Sequence, residues 1–266
     1  VASMAENLPP EVEVAADEAG MVAVRGIGEA LRALEAAAWW GGRRTRPPLL
    51  EAGPFDPKDL RTLYEVEARG LLEAAGVPVP LGLVVPAVDA VEACGSLTGR
   101  VVVKATGMAH KTEAGRVALG LAGAAEVGAA LAGMGLPDDA PVLVEDFVDD
   151  AVVEVLVSVR REPPVGWLLT LGIGGTLVEL LGDTTSLLLP VDADEVLAAL
   201  RGLAGWPLIE GHRGNPPADL DALVATIVGI VGVVEVRPDL VELECNPVLA
   251  RPVGAITVDA LAIVVD

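Results

Sequence analysis

The chain has 266 residues, of which 52% are hydrophobic and 21% are charged, so it can bury a sizeable core and is not disordered. Its formal net charge of −21 disfavours nucleic acids and anionic membranes as bulk partners. The longest uncharged apolar run, 222–234, is too short to span a bilayer. Two cysteines, Cys94 and Cys245, are too few for a disulfide framework or a metal cluster, which favours a cytoplasmic protein.

The first 48 residues contain too little structure to fold by themselves. A short apolar run at 21–24 is followed by a helix pattern over 28–40, which ends at Gly41 and Gly42. A lone strand and helix cannot bury their own apolar faces, so we expect this segment to need a further domain or a partner chain. The chain opens on Val1 and not on methionine, which suggests a fragment or a processed product. We assign 49–58, which is rich in proline and glycine, as a linker.

Helix and strand patterns mix without strict alternation over the remainder, 59–266. This mixture predicts an α+β fold with two lobes about a cleft. Helices are predicted over 60–75, 89–95, 125–134, 192–204 and 219–234, the first capped by Asp59 and the fourth opened by a capping box of Asp192 and Glu195. Strands are predicted over 101–104, 117–121, 141–147, 152–159, 167–171, 240–243 and 255–258.

The stretch 101–120 reads VVVKATGMAHKTEAGRVALG, which predicts a strand, a polar loop and a second strand. Lys104 closes the first strand and provides a fixed positive charge. The loop holds His110, Lys111 and Gly115, and a glycine lets backbone N–H groups approach an anion closely. These features indicate a site for nucleotide phosphates. An exposed β-hairpin with incidental charges explains the stretch equally well when it is taken alone.

A second group of polar residues follows the predicted strand 240–243. Glu244 and Asn246 are two apart, so the alternation of a strand puts both on one face and Cys245 on the other. Two oxygen ligands that project together suit Mg²⁺, and Asp259 after the next strand could be a further ligand. A polar strand edge before a proline turn is the alternative, and it is the better reading of these residues alone.

Two more carboxylates and a glycine turn complete the candidates. Glu145 ends an apolar strand and Glu154 interrupts another, where each could accept a hydrogen bond from a sugar hydroxyl. A solvent-facing charge is the alternative for both residues, and for Glu154 it is equally good. Gly174 and Gly175 belong to a Gly-x-Gly-Gly turn, which is a weak signal because any tight turn could use it. A single loop histidine such as His110 is more often a surface residue than a catalyst.

The order of the motifs resembles the ATP-grasp part of NDP-forming acyl-CoA synthetases, a group that includes ADP-forming acetyl-CoA synthetase and is similar to succinyl-CoA synthetase. The motifs are VVVKA, HKTEAGRV, VLVEDFV, GIGGTLVELLGD, IEGHRG, ELECNPV and VDAL. The resemblance covers 60–261 and implies an ATP-grasp fold for 59–266, with two lobes around a nucleotide cleft. Residues 1–48 resemble the last strand and helix of the flavodoxin-like CoA-ligase domain that precedes ATP-grasp in fused members.

The resemblance implies roles in nucleotide binding. Lys104 would bind the phosphates of ATP or ADP, and the loop around Gly115 would cover them. Glu145 would lie at the adenine–ribose end and Glu154 near the ribose. The other residues expected in the nucleotide site are Lys111, Arg116, Gly174 and Gly175.

The resemblance also implies a metal site and a reaction. Asn246 and Asp259 would hold Mg²⁺, with support from Glu244. His110 falls where the ATP-grasp subunit of the ADP-forming enzymes carries a histidine that ferries phosphate. The implied ligase converts a small carboxylic acid, CoA and ATP into acyl-CoA, ADP and phosphate through an acyl phosphate and a phosphohistidine. CoA would bind to a CoA-ligase domain or subunit outside this chain, and we expect the assembly to be an oligomer.

One departure from the family pattern leaves other functions open. The family usually has Gly-Gly-Val after the HKT-type motif, whereas this chain has Gly115, Arg116 and Val117. Arg116 could add a cation to the phosphate site or fill it. A non-catalytic or regulatory ATP-grasp-like module is therefore one alternative. A carboxylate–amine ligase is another, although the CoA-ligase-like residues 1–48 argue against it.

Overall fold

The computed structural model describes residues 2–3, 9–42, 49–107, 115–163, 165–175 and 182–266. Contacts divide the chain into two units, Val1–Pro48 and Leu49–Asp266. In the first unit, β1 (Ala2–Ser3) and β2 (Val24–Arg25) pair in parallel, and α1 (Pro10–Glu18) and α2 (Ile27–Gly42) are helical. None of the described helices is long and apolar enough to cross a membrane.

The second unit mixes helices and strands, as predicted. Its elements, in chain order, are β3 (Leu60–Leu63), α3 (Glu65–Ala74), β4 (Gly82–Pro86), α4 (Ala90–Cys94), β5 (Val101–Ala105), β6 (Val117–Leu121), α5 (Ala124–Met134), β7 (Pro141–Asp146), β8 (Val153–Glu162), β9 (Gly166–Ile173), β10 (Thr184–Leu188), α6 (Ala193–Arg201), α7 (Trp206–Ile209), α8 (Leu220–Val236), β11 (Leu240–Ala250), β12 (Ala255–Thr257) and β13 (Ala260–Val265).

The large lobe is built on a seven-stranded antiparallel sheet in the order β10–β9–β8–β11–β13–β3, with β12 paired to the second half of β11. Alternate residues of β8, such as Val155 and Val157, point into a core shared with Leu223 and Ile227 of α8. Helices α3, α6 and α7 contribute to the same core. The opposite face of the sheet therefore carries the polar residues of β8 and β11.

The small lobe is built on a four-stranded antiparallel sheet in the order β4–β7–β5–β6. Val101 and Val103 of β5 pack with Val142 and Val144 of β7 in a second core, to which α4 and α5 contribute. Alternation puts the side chains at 102, 104, 143 and 145 on the other face of the sheet. That face holds a lysine and a glutamate of the candidate site.

Two predicted elements and one predicted helix cap differ from those in the structure. The helix expected from Leu60 begins only at Glu65, because Leu60–Leu63 is a strand that pairs with β13 and buries Leu63. Asp59 ends a short 3-10 turn instead of capping that helix. The strand expected over 240–243 continues to Ala250, because Pro247 falls at a register shift where no ladder N–H is needed. The capping box of Asp192 and Glu195 is confirmed.

Candidate functional site

Lys104 lies in a central strand of the small lobe, and every residue of β5 is buried. Its Nζ lies 2.5 Å from Oε1 of Glu65, 2.5 Å from the carbonyl oxygen of Val258 and 2.7 Å from Oε1 of Glu145. An ammonium group has three N–H donors, and these three oxygens match that number. The side chain retains only 7% of its exposure. Lys104 is thus a buried cation that protein oxygens surround.

The contacts continue beyond Glu145 to a second cation. Oε2 of Glu145 accepts a hydrogen bond from Nη1 of Arg69 at 2.7 Å. Arg69 also donates to the carbonyl of Pro80 and pairs with Glu73 at 3.0 Å. We call Glu65, Lys104, Glu145 and Arg69 the buried charge network. Opposite charges alternate along it, which offsets the large cost of removing each charge from water.

The buried charge network joins the two lobes. Lys104 and Glu145 belong to β5 and β7 of the small lobe, whereas Glu65 and Arg69 belong to α3, which packs in the core of the large lobe. The glycine at position 82 permits this packing, because a Cβ there would lie 2.7 Å from the Cβ of Glu145. The cavity beside the network has a volume of about 10 Å³, which is room for about one water molecule.

Glu244, Asn246 and Asp259 come together on the large lobe. The backbone N–H of Asn246 donates to the carbonyl of Asp259 at 3.1 Å, and Nδ2 of Asn246 lies 3.5 Å from Oε1 of Glu244. Cys245 points into the core between them, so the predicted alternation is present. Burial raises the pKa of the Cys245 thiol well above its usual range, and the charges of Glu244 and Asp259 raise it further. This thiol is inert at neutral pH.

The donor set of this cluster is compatible with magnesium. Carboxylate and amide oxygens are hard ligands, and Mg²⁺ binds one or two protein carboxylates together with phosphate oxygens and water. Within the described residues, no group of three or more His, Cys, Asp or Glu side chains is arranged to hold a metal by itself. Asn246 and Asp259, with Glu244 beside them, would therefore form part of a metal site that phosphate completes.

The glycine turn after β9 lies against Glu154 of β8. The N–H of Gly174 donates to the carbonyl of Glu154 at 2.6 Å, and Gly175 has a φ of +101°. Glu154 is exposed. It lies on the face of the large sheet that also carries Glu244, because Glu244 pairs with Ser158, four residues further along β8. The structure thus brings two predicted residues, Glu154 and Gly174, into direct contact.

The loop after β5 is described only at its two ends. His110 and Lys111 lie outside the described residues. Gly115 has a φ of +65°, a conformation that favours glycine. The guanidinium of Arg116 donates to the carbonyl of Met134, at the C-terminus of α5. A cation at that end of a helix is stabilising, so this contact accounts for Arg116 without a ligand.

Two residues of the network were not among the sequence candidates. Glu65 and Arg69 are four apart on a helix, a spacing that predicts an ordinary surface ion pair. The structure instead buries Glu65 to 6% exposure and directs both side chains towards the small lobe. Nothing in the local sequence marks this, because their partners lie 39 and 76 positions away along the chain.

A larger pocket lies at the connection between β7 and β8, where the chain passes from the small lobe to the large lobe. It has a volume of about 290 Å³ and is lined by Asp146, Phe147 and Val148, among others. Oδ1 of Asp146 is buried there without a hydrogen-bond partner in the part of the chain that the structure describes. Asp146 was not among the sequence candidates, because the preceding residue, Glu145, was taken as the polar end of the apolar strand.

Comparisons with known proteins identify the family to which the chain belongs. Residues 57–264 match a family model described as an ATP-grasp domain. The ADP-forming acetate–CoA ligase of Methanocaldococcus jannaschii is 32% identical over 197 residues, which are 69% of this chain and 28% of that protein. The beta subunit of the ADP-forming acetate–CoA ligase I of Pyrococcus furiosus is 30% identical over 212 residues, which are 75% of this chain and 90% of that subunit.

A solved structure shows the same fold. The dinucleotide-forming acetyl-coenzyme A synthetase 1 of Ca. Korarchaeum cryptofilum, in complex with coenzyme A and Mg-AMPPCP, superposes with a TM-score of 0.68 at 25% identity. The superposition covers 88% of this chain and 99% of that one. The family match, the beta subunit aligned over most of its length and the shared fold agree, so this chain belongs to the ATP-grasp domain family, as the ATP-grasp part of the NDP-forming acyl-CoA synthetases.

Proposed function

We propose that this chain binds ATP or ADP with Mg²⁺ and is the nucleotide-using part of an enzyme that joins a small carboxylic acid to CoA. The observation that carries the proposal is the position of Lys104. It is a buried cation at the junction of two lobes, and its Nζ lies 2.5 Å from the carbonyl of Val258, the residue before Asp259. The phosphate-binding cation and the proposed metal ligands therefore converge on one point, as a nucleotide–metal complex requires.

In this proposal each cluster has a separate task. Lys104 binds the phosphates, while Asn246 and Asp259 hold Mg²⁺ with support from Glu244. The metal would neutralise charge on the phosphate oxygens. The relative from Ca. Korarchaeum cryptofilum was solved with Mg-AMPPCP, which supports a nucleotide–magnesium complex as the ligand.

We place the ribose next to Glu154, whose exposed carboxylate can accept hydrogen bonds from hydroxyl groups. Glu145 was predicted at the adenine–ribose end. In the described structure it contacts Lys104 and Arg69, so we assign it the additional task of holding Lys104 in place. The pocket beside Asp146 is the candidate for the base, because its volume of about 290 Å³ is close to that of small-molecule pockets.

His110 is the proposed phosphate carrier. A neutral imidazole nitrogen would attack the γ-phosphorus of ATP, forming an N–P bond while the P–O bond to the β-phosphate breaks and ADP leaves with the electron pair. The phosphoryl group would then pass from His110, through a phosphohistidine of a CoA-binding domain or subunit, to a carboxylate oxygen of the acid, so that each N–P bond breaks as the next bond to phosphorus forms and an acyl phosphate results. The CoA thiol would attack the acyl carbon of this acyl phosphate, and phosphate would leave. Residues 1–48 would be the end of such a domain, and 49–58 would link it to the ATP-grasp domain at 59–266.

Calorimetric titration with ADP, with and without Mg²⁺, tests the proposal. We expect binding that depends on Mg²⁺ and that Lys104→Ala weakens roughly tenfold to a hundredfold, the value of a charge-assisted phosphate contact. The exposed Lys58→Ala is the matched control. Lys104→Ala leaves buried carboxylates without their cation, so circular dichroism must show that the variant is folded at the titration temperature. A folded Lys104→Ala variant with wild-type affinity would place the phosphate site elsewhere.

A nucleotide-binding module without turnover is the second candidate. Arg116 favours it, because this residue stands where the family usually has glycine and its guanidinium is directed at the carbonyl of Met134. Phosphorylation of the protein by ATP separates the two functions.

A further inference from the structure

The contacts of Lys104 conflict with its proposed task. A phosphate must accept hydrogen bonds from the ammonium, yet three protein oxygens already lie within 2.7 Å of Nζ. The adjoining cavity of about 10 Å³ is too small for a phosphate group. Nucleotide binding at Lys104 therefore requires at least one protein oxygen to leave.

The three oxygens are not equivalent. Glu145 is on β7, which pairs with β5, so it stays close to Lys104 when the small lobe moves as a body. Its side chain is only 2% exposed. Its second oxygen is held by Arg69 of α3, so separation of the lobes would break that contact, and the pairing of β7 with β5 alone would keep Glu145 beside Lys104. Glu65 and the carbonyl of Val258 belong to the large lobe. Separation of the lobes would release both oxygens from Lys104 and leave Glu145 in place.

Charge also singles out Glu65. The buried charge network contains two carboxylates and two cations, so its charges cancel and it offers little attraction to an anion. Among the described residues, loss of the Glu65 carboxylate leaves Glu145 as the single carboxylate on the Lys104 ammonium and frees one of its N–H donors. A nucleotide phosphate needs such a donor and the weaker negative field around it.

We infer that Glu65 occupies the place of a nucleotide phosphate on Lys104, and that the two anions exclude each other. The inference rests on the proposed function and adds an autoinhibitory contact to it. The carboxylate keeps the lysine buried and compensated when no nucleotide is present. The phosphate displaces it on binding, and Glu145 retains the lysine in both states.

If Glu65 and a nucleotide phosphate compete for Lys104, then removing the charge of Glu65 should change the affinity for ADP. Glu65→Gln keeps the size and a hydrogen-bond acceptor but removes the charge, so it should tighten ADP binding about tenfold, within the usual range of coupling between exclusive contacts. Glu67→Gln is the matched control, because Glu67 lies on the same helix and pairs with Arg61 at the surface; it should leave affinity unchanged. The tightening should vanish in the Glu65→Gln/Lys104→Ala double variant, because it acts through Lys104.

The outcomes separate this inference from the function on which it rests. Lys104→Ala with weakened binding, together with Glu65→Gln at wild-type or lower affinity, would overturn the autoinhibitory contact alone. Lys104→Ala with unchanged affinity would overturn both. If Glu65→Gln does not fold, Glu65→Asp takes its place, since it keeps the buried charge but is one methylene too short for the contact. It should also tighten binding, and wild-type or lower affinity there would equally overturn the inference.

Discussion

Gly174 and Glu154 approach so closely that only glycine fits. The N–H of Gly174 donates to the carbonyl of Glu154, and a Cβ on Gly174 would lie 2.8 Å from the Cβ of Glu154, well inside contact distance. Gly174→Ala should therefore displace the glycine turn from β8 and lower stability by about 1–3 kcal/mol. It should also weaken ADP binding, because Glu154 is the proposed ribose acceptor.

Urea unfolding and calorimetric titration measure both effects. Gly70→Ala is the control, because Gly70 lies in helix α3 and a Cβ there would meet nothing within 4 Å. That change should leave stability unchanged or raise it slightly. A Gly174→Ala variant with wild-type stability would mean that the turn adjusts without cost.

The proposed magnesium ligands should be needed only for the part of nucleotide binding that depends on the metal. Asn246→Ala and Asp259→Ala should abolish the Mg²⁺-dependent part of nucleotide affinity while residual binding in EDTA persists, since Lys104 is untouched. Titrations with and without Mg²⁺ give the difference directly. Asp194→Ala, an exposed change on α6, should keep the full metal dependence. Metal dependence that survives in both cluster variants would move the magnesium site away from β11.

The contact of Arg116 predicts an effect on stability and not on binding. Arg116→Ala removes a cation from the C-terminus of α5 and should lower the free energy of unfolding by about 0.3–1 kcal/mol. ADP affinity should stay within about twofold of wild type, as expected when a side chain does not contact the ligand. Stronger binding would show that Arg116 obstructs the loop, and clearly weaker binding would show that it serves the phosphates as a cation.

His110 can be tested by chemical labelling. Incubation with γ-labelled ATP, together with the CoA-binding part, should give a label that is lost in acid and retained in base, as for a phosphohistidine. His110→Ala should abolish the label on this chain, because the nucleophile is gone. The exposed His212→Ala should keep it. A label that persists without His110 would refute its role, and an unlabelled wild type would favour the module without turnover.

Asp219 predicts how stability depends on pH. Hydrogen bonds from the backbone N–H groups of Gly254 and Ala222 lower its pKa. The folded value lies below the unfolded value of about 3.9, so the stabilisation is fully present above that pH and is lost as the pH falls through the folded pKa. Thermal unfolding should show a Tm deficit for Asp219→Ala at neutral pH that shrinks on acidification. A deficit of constant size would mean that the carboxylate charge contributes nothing.

Sequence patterns predicted the parts of this fold that depend on local periodicity. The mixed fold, the capping box at Asp192 and the burial of Cys245 between two polar residues all follow from spacing alone. Leu60–Leu63 was wrongly predicted to be helical, because this strand forms by pairing with β13 at the other end of the chain. The strands Thr184–Leu188 and Ala260–Val265 were not predicted. Short segments of this kind carry too few residues for a clear period.

In the candidate site, too, some residues could be predicted from the sequence and others could not. Lys104 and the group around Asn246 could be predicted because they end or follow apolar strands. The partners of Lys104 could not, because a helix pattern identifies a buried face without identifying what covers it. Glu65 shows the difference: its helix was predicted, but its contact across the lobes depends on how two separate sheets meet.

The number of residues in strand β11 matters more for folding than the identity of the residues on its cleft face. Its first half pairs with β8 and β13 on either side, and its one register shift against β8 falls between Cys245 and Val248. Deleting one residue before Glu244 would reverse the facing of the later residues of the strand, turning a carboxylate into the core and a thiol towards the cleft. We expect that most single substitutions on the cleft face of this strand leave a folded protein, whereas a one-codon deletion there leaves none.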